Sequence, residues 1–386
     1  MDNFVYSIPT TIYFGEGQVK HIGEIVSQYG KKVLIVYGGG SIKRNGLYDE
    51  VTGILKGMGI TYHELSGVEP NPRLTTVKKG VEICRKEQID VVLPIGGGST
   101  IDCAKVIAGA VTYAGDPWDI VLDATKVKSV LPIVTILTLS ATGTEMDTFA
   151  VISNMETNDK IGTGHEGMRP KASILDPTYT FSVPANQTAA GTADIMSHIF
   201  ESYFSNIPSY MLDRSAEALL KTCIKYGVIA IKEPNNYEAR ANLMWASSWA
   251  INDFIKLGKP VAWSVHPMEH QLSAYYDITH GVGLAILTPH WMEYVLNDET
   301  VEKFKEYGVN VWGINETKDS FEIAHEAIQK TKEYFVEMGI PTTLREVGIM
   351  DEEFFEVMAE KASAGLEAAY VPLTKEAIIE IYRKAL

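Results

Sequence analysis

The chain has 386 residues, of which 46% are hydrophobic and 22% are charged, and its formal net charge is −15. This balance is typical of a folded globular protein and excludes a largely disordered chain. The negative charge repels nucleic acid and anionic membrane surfaces, so we expect neither as a partner. Because single domains usually contain about 100 to 200 residues, we expect two domains.

The sequence predicts a cytoplasmic protein. It contains no uninterrupted apolar run of about 18 residues, and its first segment, "MDNFVYSIPTTIYF", lacks the basic start and apolar run of a signal peptide. Its cysteines, Cys84, Cys103 and Cys223, are too widely spaced for a disulfide framework or a metal knuckle. We interpret Cys84 and Cys103, which lie in helical patterns, as small core residues.

The first half of the chain alternates strand and helix patterns. Runs such as "KKVLIVYG" and "DVVLPIGG" are almost continuously apolar, which is typical of parallel strands covered on both faces. Two prolines near "LDPTYTFSVP" mark a boundary, and later segments carry apolar residues at helical spacing. We predict a Rossmann-like α/β nucleotide-binding domain over residues 1–180 and an all-α domain for metal and substrate over residues 181–386.

Two similar glycine loops follow predicted strands, in "VLIVYGGGSIK" and "VVLPIGGGSTIDCAK". Glycines at the carboxyl end of a parallel strand, before a helix, let backbone N–H groups approach a phosphate closely. Neither loop has the usual dinucleotide or P-loop spacing, and one such run alone also occurs as a tight turn. The pair predicts a nucleotide site, with a pyrophosphate cradle formed by Gly96, Gly97, Gly98 and Ser99.

The first loop bears on cofactor choice. In nicotinamide enzymes an acidic side chain near the adenosine ribose accepts the 2′-hydroxyl and repels a 2′-phosphate. Lys43 and Arg44 follow the loop here, and the loop itself consists of Gly38, Gly39, Gly40 and Ser41. Since this segment has no acid, we predict a site that admits NADPH and leans toward it, without excluding NADH.

A third stretch, "TLSATGTEMD", follows another apolar strand. Its hydroxyl groups and Gly143 are suited to line the same cofactor site. A turn rich in Ser and Thr explains the pattern equally well, so the residues alone leave both interpretations open.

Four residues form a candidate metal site. Asp194 and His198 are four apart in a helical pattern, which places them on one helix face. His266 and His280 flank a short helix, predicted from Pro267 to about Tyr276, with His266 as its N-cap or the last loop residue. Three nitrogens and one oxygen suit a divalent ion such as Fe²⁺, Zn²⁺, Co²⁺, Ni²⁺ or Mn²⁺. For any one histidine, a hydrogen-bonded place in the core remains the alternative.

The segment "HPMEH" also fits the H-x-x-E-H pattern of a class of zinc peptidases. That hypothesis makes His266 and His270 ligands and Glu269 the general base. It leaves both glycine loops and Asp194 without a role, and Pro267 separates the paired ligands. We therefore favour a nucleotide-linked metal enzyme, and keep a non-catalytic nucleotide or metal sensor as a third hypothesis.

Several motifs follow one another along nearly the whole chain: "YGGGSIK", "EPNP", "IGGGS", "VISNMETN", "LDPTYTF", "TAAGTADIMSH" and "LSAYYDITHGVGLAILTP". On these motifs the sequence resembles the iron-dependent alcohol dehydrogenase family, with the greatest likeness to bacterial butanol dehydrogenases. The resemblance implies the dehydroquinate synthase-like fold of that family, with a nucleotide-binding α/β domain followed by a helical domain.

The resemblance also implies a set of site residues. The family's metal ligands fall on Asp194, His198, His266 and His280. A histidine that lies near the nicotinamide in relatives, and is considered there for proton transfer, falls on His270. Cofactor contacts fall on Gly38, Gly39, Gly40, Ser41, Asn71, Gly96, Gly97, Gly98, Ser99, Asp102, Thr138, Ser140, Thr144, Lys160 and Tyr179. NAD-selective relatives carry an aspartate in the first loop, where this chain has "GGGS".

The implied activity is the reversible reduction of an aldehyde to a primary alcohol, with a small substrate such as butanal. The implied cofactors are NAD(P)(H) and one divalent metal ion, Fe²⁺ first by family. The metal would polarise the carbonyl oxygen as a Lewis acid while the nicotinamide transfers hydride. A homodimer is the assembly that the family implies.

Overall fold

The computed structural model describes residues 2–259 and 262–386, and the chain divides into two compact units. One unit spans Ser7–Val183, and the other joins the N-terminal residues up to Tyr6 to Pro184–Leu386. The first unit contains the described strands, and the second is built from helices. The predicted fold class, a Rossmann-like α/β part followed by an all-α part, is confirmed.

The α/β unit is organised around a parallel sheet. Its strands are β1 Thr11–Phe14, β2 Lys32–Val36, β3 Thr61–Leu65, β4 Val91–Gly96, β5 Val134–Leu137, β6 Phe149–Asn154, β7 Asp159–Gly164 and β8 Ala172–Leu175. Among the described residues six strands form the sheet, in the order β1-β8-β5-β4-β2-β3, and β6 and β7 form a separate antiparallel pair. Every pairing in the sheet is parallel, as the continuous apolar strands predict.

Helices cover both faces of this sheet. They are α1 Ile22–Ser27, α2 Ser41–Arg44, α3 Leu47–Gly57, α4 Leu74–Glu87, α5 Gly98–Ala110 and α6 Pro117–Leu122. Because side chains alternate along a strand, Val33 and Ile35 of β2 pack into the core with α1 and α3. Leu34 and Val36 pack on the opposite face with α4 and α5. The strand is therefore apolar at every position from Val33 to Val36.

The chain changes direction within the sheet between β2 and β4. From β2 it passes to β3 on one side, then returns through α4 to β4 on the other side of β2, and continues to β5. The loops after β2 and β4, which are the two glycine loops, therefore leave adjacent strands at the same edge of the sheet. Parallel sheets bind ligands at such switch points, outside the carboxyl ends of the strands.

The helical unit surrounds two buried helices. Its helices are α7 Ala185–Tyr203, α8 Tyr210–Lys232, α9 Tyr237–Ile251, α10 Val265–Tyr276, α11 His280–Val295, α12 Val301–Trp312, α13 Ser320–Glu337, α14 Phe355–Ala362 and α15 Lys375–Ala385. Helix α7 is buried without interruption from Thr188 to Tyr203, and α11 is buried along most of its length. None of the described helices combines the length and apolar character needed to cross a membrane.

Helices α7 and α11 approach each other closely at a glycine. A Cβ atom added at Gly281 would lie 2.0 Å from the backbone oxygen of Ala190, which no real Cβ contact allows. Two turns of backbone therefore touch where any larger residue would separate them. This contact sets the position of the first turn of α11.

We predict that Gly281→Ala destabilises the protein by about 1–3 kcal/mol, because the added methyl group overpacks a backbone contact that cannot yield easily. The measurement is the melting temperature followed by circular dichroism. Gly53→Ala in α3 is the matched control, since a Cβ there meets no described atom within 4 Å outside its own helix. We expect that control to melt at the same or a higher temperature; an unchanged melting temperature for Gly281→Ala contradicts the prediction.

Candidate metal centre and cofactor site

Three histidines of the helical unit converge on one carboxylate. Nε2 of His198 lies 3.6 Å from Oδ1 of Asp194, and Nε2 of His266 and of His280 each lie 3.7 Å from the same oxygen. Helix α7 supplies Asp194 and His198 on one face, α10 supplies His266 and α11 supplies His280. The four residues predicted from spacing and resemblance are therefore brought together.

The donor set fits a divalent ion. Oδ1 of Asp194 and Nε2 of His266 are buried and have no hydrogen-bond partner among the described residues. Their separation of 3.7 Å is too long for a hydrogen bond. Ligand bonds of about 2.1 Å in a tetrahedral site place neighbouring donor atoms about 3.4 Å apart. The nitrogen–oxygen spacings are close to that value, so these residues are arranged as metal ligands are.

The surrounding histidines favour the ionised form of Asp194. Burial alone raises the pKa of a carboxyl group, but His198, His266 and His280 outweigh burial and hold the pKa of Asp194 well below its ordinary value. An anionic oxygen is the form that binds a cation. Asp194 is only 3% exposed, so water does little to screen this charge.

The two buried histidines differ in protonation. Burial lowers the pKa of His198 to about 4, although Asp194 partly opposes the shift, so its imidazole is neutral near pH 7. Burial also acts to lower the pKa of His266, but the carboxylates of Asp194 and Glu201 outweigh it and raise the pKa to about 9. A cation that binds His266 near neutral pH must therefore displace a proton from it.

Glu201 positions the start of α10. Its carboxylate accepts hydrogen bonds from the backbone N–H groups of Ser264, Val265 and His266, at 2.7, 2.8 and 3.0 Å. The helix consequently begins at Val265. The prediction that His266 precedes the helix is wrong for this reason: the cap comes from a carboxylate more than sixty residues earlier, which local sequence does not reveal.

Glu269 is buried and is paired with His280. Its side chain is fully buried, and its carboxylate contacts Nδ1 of His280 and the hydroxyl of Ser273. A peptidase base must reach the water that attacks the peptide, and this carboxylate is directed away from solvent. The geometry therefore gives no support to the H-x-x-E-H peptidase hypothesis.

His270 lies beside two histidines of the candidate metal site, His266 and His280. Its imidazole is partly exposed, and its ring centre is 5.5 Å from that of His280 and 6.3 Å from that of His266. It shares a second cluster of donor atoms with Glu269 and His280. This position suits proton exchange with solvent, and its catalytic role stays a prediction.

Backbone hydrogen bonds link the first glycine loop to the chain after β3, and the second glycine loop to the third stretch. The Gly67 N–H donates to the oxygen of Gly38, and the Thr138 N–H donates to the oxygen of Gly96. A Cβ at Gly98 would lie 2.4 Å from the side chain of Thr142 in the third stretch. Gly98 therefore lets the second glycine loop pack closely against the third stretch.

The remaining predicted cofactor contacts occupy different surroundings. Gly39 and Ser41 are exposed, and Gly40 has a φ of 86°, which favours glycine before α2. The Ser99 hydroxyl donates to the carbonyl of Pro70, beside the buried Asn71. Among the other predicted contacts, Lys160 is buried, and three residues are partly buried: Gly97, Ser140 and Tyr179. Their contacts with a cofactor stay predictions.

Asp102 and Thr144 take part in an internal network. The Thr144 hydroxyl donates to Asp102 and accepts from the ammonium group of Lys105, both at 2.7 Å. Lys105 is fully buried and also donates to Asp147. Burial raises the pKa of Asp102 to about 6, although Lys105 and Thr144 act to lower it. The network fixes the third stretch against α5, and direct cofactor contact by these two side chains stays a prediction.

Sequence reasoning overlooked an acid beside the first glycine loop. Glu64, the second-to-last residue of β3, accepts hydrogen bonds from the Tyr37 hydroxyl at 2.6 Å and the Lys43 ammonium at 3.1 Å. The Tyr48 hydroxyl contacts the same carboxylate. Glu64 lies on a neighbouring strand, so only the β2–β3 pairing reveals it. The negative charge of Glu64 therefore lies beside Lys43 and opposes the binding of a 2′-phosphate there.

Comparisons with known proteins match the chain to one family. Residues 9–177 match the family "Iron-containing alcohol dehydrogenase", and residues 188–386 match "Fe-containing alcohol dehydrogenase family, C-terminal". The chain is 64% identical to NADH-dependent butanol dehydrogenase A of Clostridium acetobutylicum, with both chains covered completely. It is 39% identical to an NADPH-dependent aldehyde reductase of Escherichia coli, over 90% of each chain.

A solved structure gives the same result. The crystal structure of NADH-dependent butanol dehydrogenase A from Thermotoga maritima superposes with a TM-score of 0.95 at 39% identity, covering 100% of this chain and 99% of the other. Its similarity therefore extends over both units of the fold. With three histidines converging on a buried aspartate and family matches over most of its length, the chain belongs to the iron-containing alcohol dehydrogenase family.

Proposed function

We propose that the protein is a metal-dependent, NAD(P)H-linked alcohol dehydrogenase and aldehyde reductase for short-chain primary alcohols and aldehydes of the butanol and butanal type. The observation that carries the proposal is the convergence of three imidazole nitrogens on the Asp194 carboxylate. Butanol dehydrogenases that are 64% and 62% identical over the full length support the substrate class.

The metal ligands in this proposal are Asp194, His198, His266 and His280, within a metal-binding and substrate domain of residues 181–386. A bound divalent ion, Fe²⁺ in the family name, supplies Lewis acidity toward the substrate oxygen. Trp263 packs its ring against His198 and His266, with ring centres 5.4 and 4.5 Å away. An indole beside the ligands excludes water and favours an aliphatic substrate chain.

The cofactor in this proposal binds to the domain of residues 1–180. A bound nicotinamide supplies or accepts the hydride. The glycine loops offer backbone N–H groups to the phosphates, and α5, which begins at Gly98, directs its N-terminus toward the same edge of the sheet. NADH-dependent relatives are more similar to this chain than the NADPH-dependent aldehyde reductase is. We therefore propose that NADH is used and that NADPH is admitted.

His270 is the proposed group for proton exchange. Its imidazole is partly exposed beside His280, so it can take a proton from solvent and pass one toward the ligand group. The enclosed Glu269 carboxylate is unsuited to that role.

We also propose a cytoplasmic homodimer. The three cysteines are buried free thiols, which suits a reducing compartment. The dimer is inferred from the family resemblance. The other partners are small-molecule alcohols and aldehydes.

We predict butanal-dependent oxidation of NADH that a strong chelator abolishes and Fe²⁺, Zn²⁺ or Co²⁺ restores. In Asp194→Ala and His266→Ala, kcat/KM should fall roughly a hundredfold or more, because Lewis-acid stabilisation is worth several kcal/mol. His325→Ala removes an exposed histidine of the same unit and should leave kcat/KM unchanged. Normal turnover in either ligand variant, with native melting temperature, would rule out the metal assignment.

We predict that Glu64→Gln shifts cofactor choice toward NADPH. The Tyr37 and Tyr48 hydroxyls donate to different oxygens of Glu64, so the amide keeps an acceptor for one of them and removes the charge paired with Lys43. The freed ammonium should improve kcat/KM for NADPH relative to NADH by roughly fivefold at low ionic strength. The comparison uses Glu87→Gln, a substitution of the same charge whose partners are His63 and Lys86. An unchanged NADPH-to-NADH ratio in Glu64→Gln argues against a role for this pair.

A further inference from the structure

Two buried glutamates contact histidines of the candidate metal site on the side of the ring away from Asp194. Oε1 of Glu201 is 3.2 Å from Nδ1 of His266, and the Glu201 side chain is 2% exposed. The Glu269 carboxylate contacts Nδ1 of His280, and the Glu269 side chain is 0% exposed. Two of the three converging imidazoles therefore have a carboxylate on the nitrogen opposite the one that faces Asp194.

Each carboxylate decides which ring nitrogen carries the proton. A carboxylate only accepts hydrogen bonds, so Nδ1 of its histidine must be the donor. In the neutral ring Nε2 then keeps its lone pair, and Nε2 is the atom that lies 3.7 Å from Oδ1 of Asp194 in both His266 and His280. The opposite tautomer would place a hydrogen where a ligand lone pair is needed.

We infer that Glu201 and Glu269 are positioning residues that hold His266 and His280 as Nδ1-protonated imidazoles and thereby strengthen the binding of a divalent ion at Nε2. The inference rests on the proposed function, because it takes these histidines as metal ligands. Carboxylates behind ligating histidines orient the ring and increase its basicity.

The two glutamates reach the site from different directions. Glu201 follows Asp194 and His198 on α7 at spacings of seven and three residues, so all three lie on one helix face. Glu269 lies in α10 and reaches forward to the first residue of α11. A Cβ added at Gly283 would lie 2.8 Å from the Glu269 side chain, so α11 is fitted around this carboxylate.

His198 provides an internal contrast. Its Nδ1 is buried and has no hydrogen-bond partner among the described residues. Its ring instead stacks on His266, with ring centres 4.7 Å apart and planes 17° apart. The orientation of His198 therefore depends on packing, whereas His266 and His280 each contact a carboxylate. Substituting the glutamates should consequently change the affinity for the ion without changing the packing of His198.

The test measures Co²⁺ binding to the full-length protein by competition with a chromophoric chelator, without nucleotide or substrate. We expect Glu269→Gln and Glu201→Gln to raise the Kd for Co²⁺ about 10- to 100-fold. The visible absorption of bound Co²⁺ should also change, because a neutral amide makes the imidazole behind which it lies less basic than a carboxylate does. The amide of Glu269→Gln retains an oxygen for His280 and a donor for Ser273, so the helix need not rearrange.

Glu217→Gln is the control, a buried carboxylate of the same unit whose partners are Tyr203, Arg214 and Asn310. Its Kd should stay within twofold of the unmodified protein. Glu201 also caps α10, so a poorly folded Glu201→Gln would leave Glu269→Gln to decide. A folded Glu269→Gln that binds Co²⁺ within twofold of the unmodified protein overturns the inference.

Asp194→Ala and His266→Ala separate this inference from the proposed function. If both lose Co²⁺ binding while the glutamine variants retain it, the ligands are right and the positioning role is wrong. If both bind Co²⁺ as tightly as the unmodified protein, the metal assignment fails and the inference fails with it.

Discussion

The helical unit depends on one buried anion, the carboxylate of Asp194. Removing an ionised carboxylate from water costs several kcal/mol even after relaxation, roughly as for any buried ion, unless partners compensate it. Its partners come from three helices, because His198, His266 and His280 lie on α7, α10 and α11. The three helices must therefore pack closely for their histidines to reach the Asp194 carboxylate. Ala190 of α7 and Gly281 of α11 allow that close packing.

The α/β unit meets a different constraint, which is backbone access at the edge of a parallel sheet. A nucleotide phosphate needs N–H groups within hydrogen-bond reach, and any side chain at Gly96 or Gly98 would collide with Thr100 or Thr142. The buried Lys105 network holds the third stretch at this distance. The Lys105 cluster thus ties the third stretch to α5, whereas the glycines supply space for the loops.

Local periodicity made the main features predictable. The i, i+4 spacing of Asp194 and His198 and the apolar strands both follow from geometry within a single element. What sequence could not supply are contacts between elements: Glu201 reaches an N–H group 63 residues away, and Glu64 meets Lys43 across a strand pairing. The Glu201 contact makes α10 begin earlier than predicted, at Val265. The Glu64 contact adds a negative charge beside Lys43 that the sequence did not predict. Neither leaves a signal at a fixed spacing.

The segment "HPMEH" shows why a short motif does not fix a chemistry. In a zinc peptidase of this pattern, His266 and His270 would both bind one ion, and Glu269 would face its water. Here α11 begins at His280, which contacts Glu269 through Nδ1 and lies near Oδ1 of Asp194 through Nε2. The Glu269 carboxylate is therefore paired with an imidazole and is fully buried. The same residues support hydride-transfer chemistry in place of peptide hydrolysis because a second helix changes which atoms face the site.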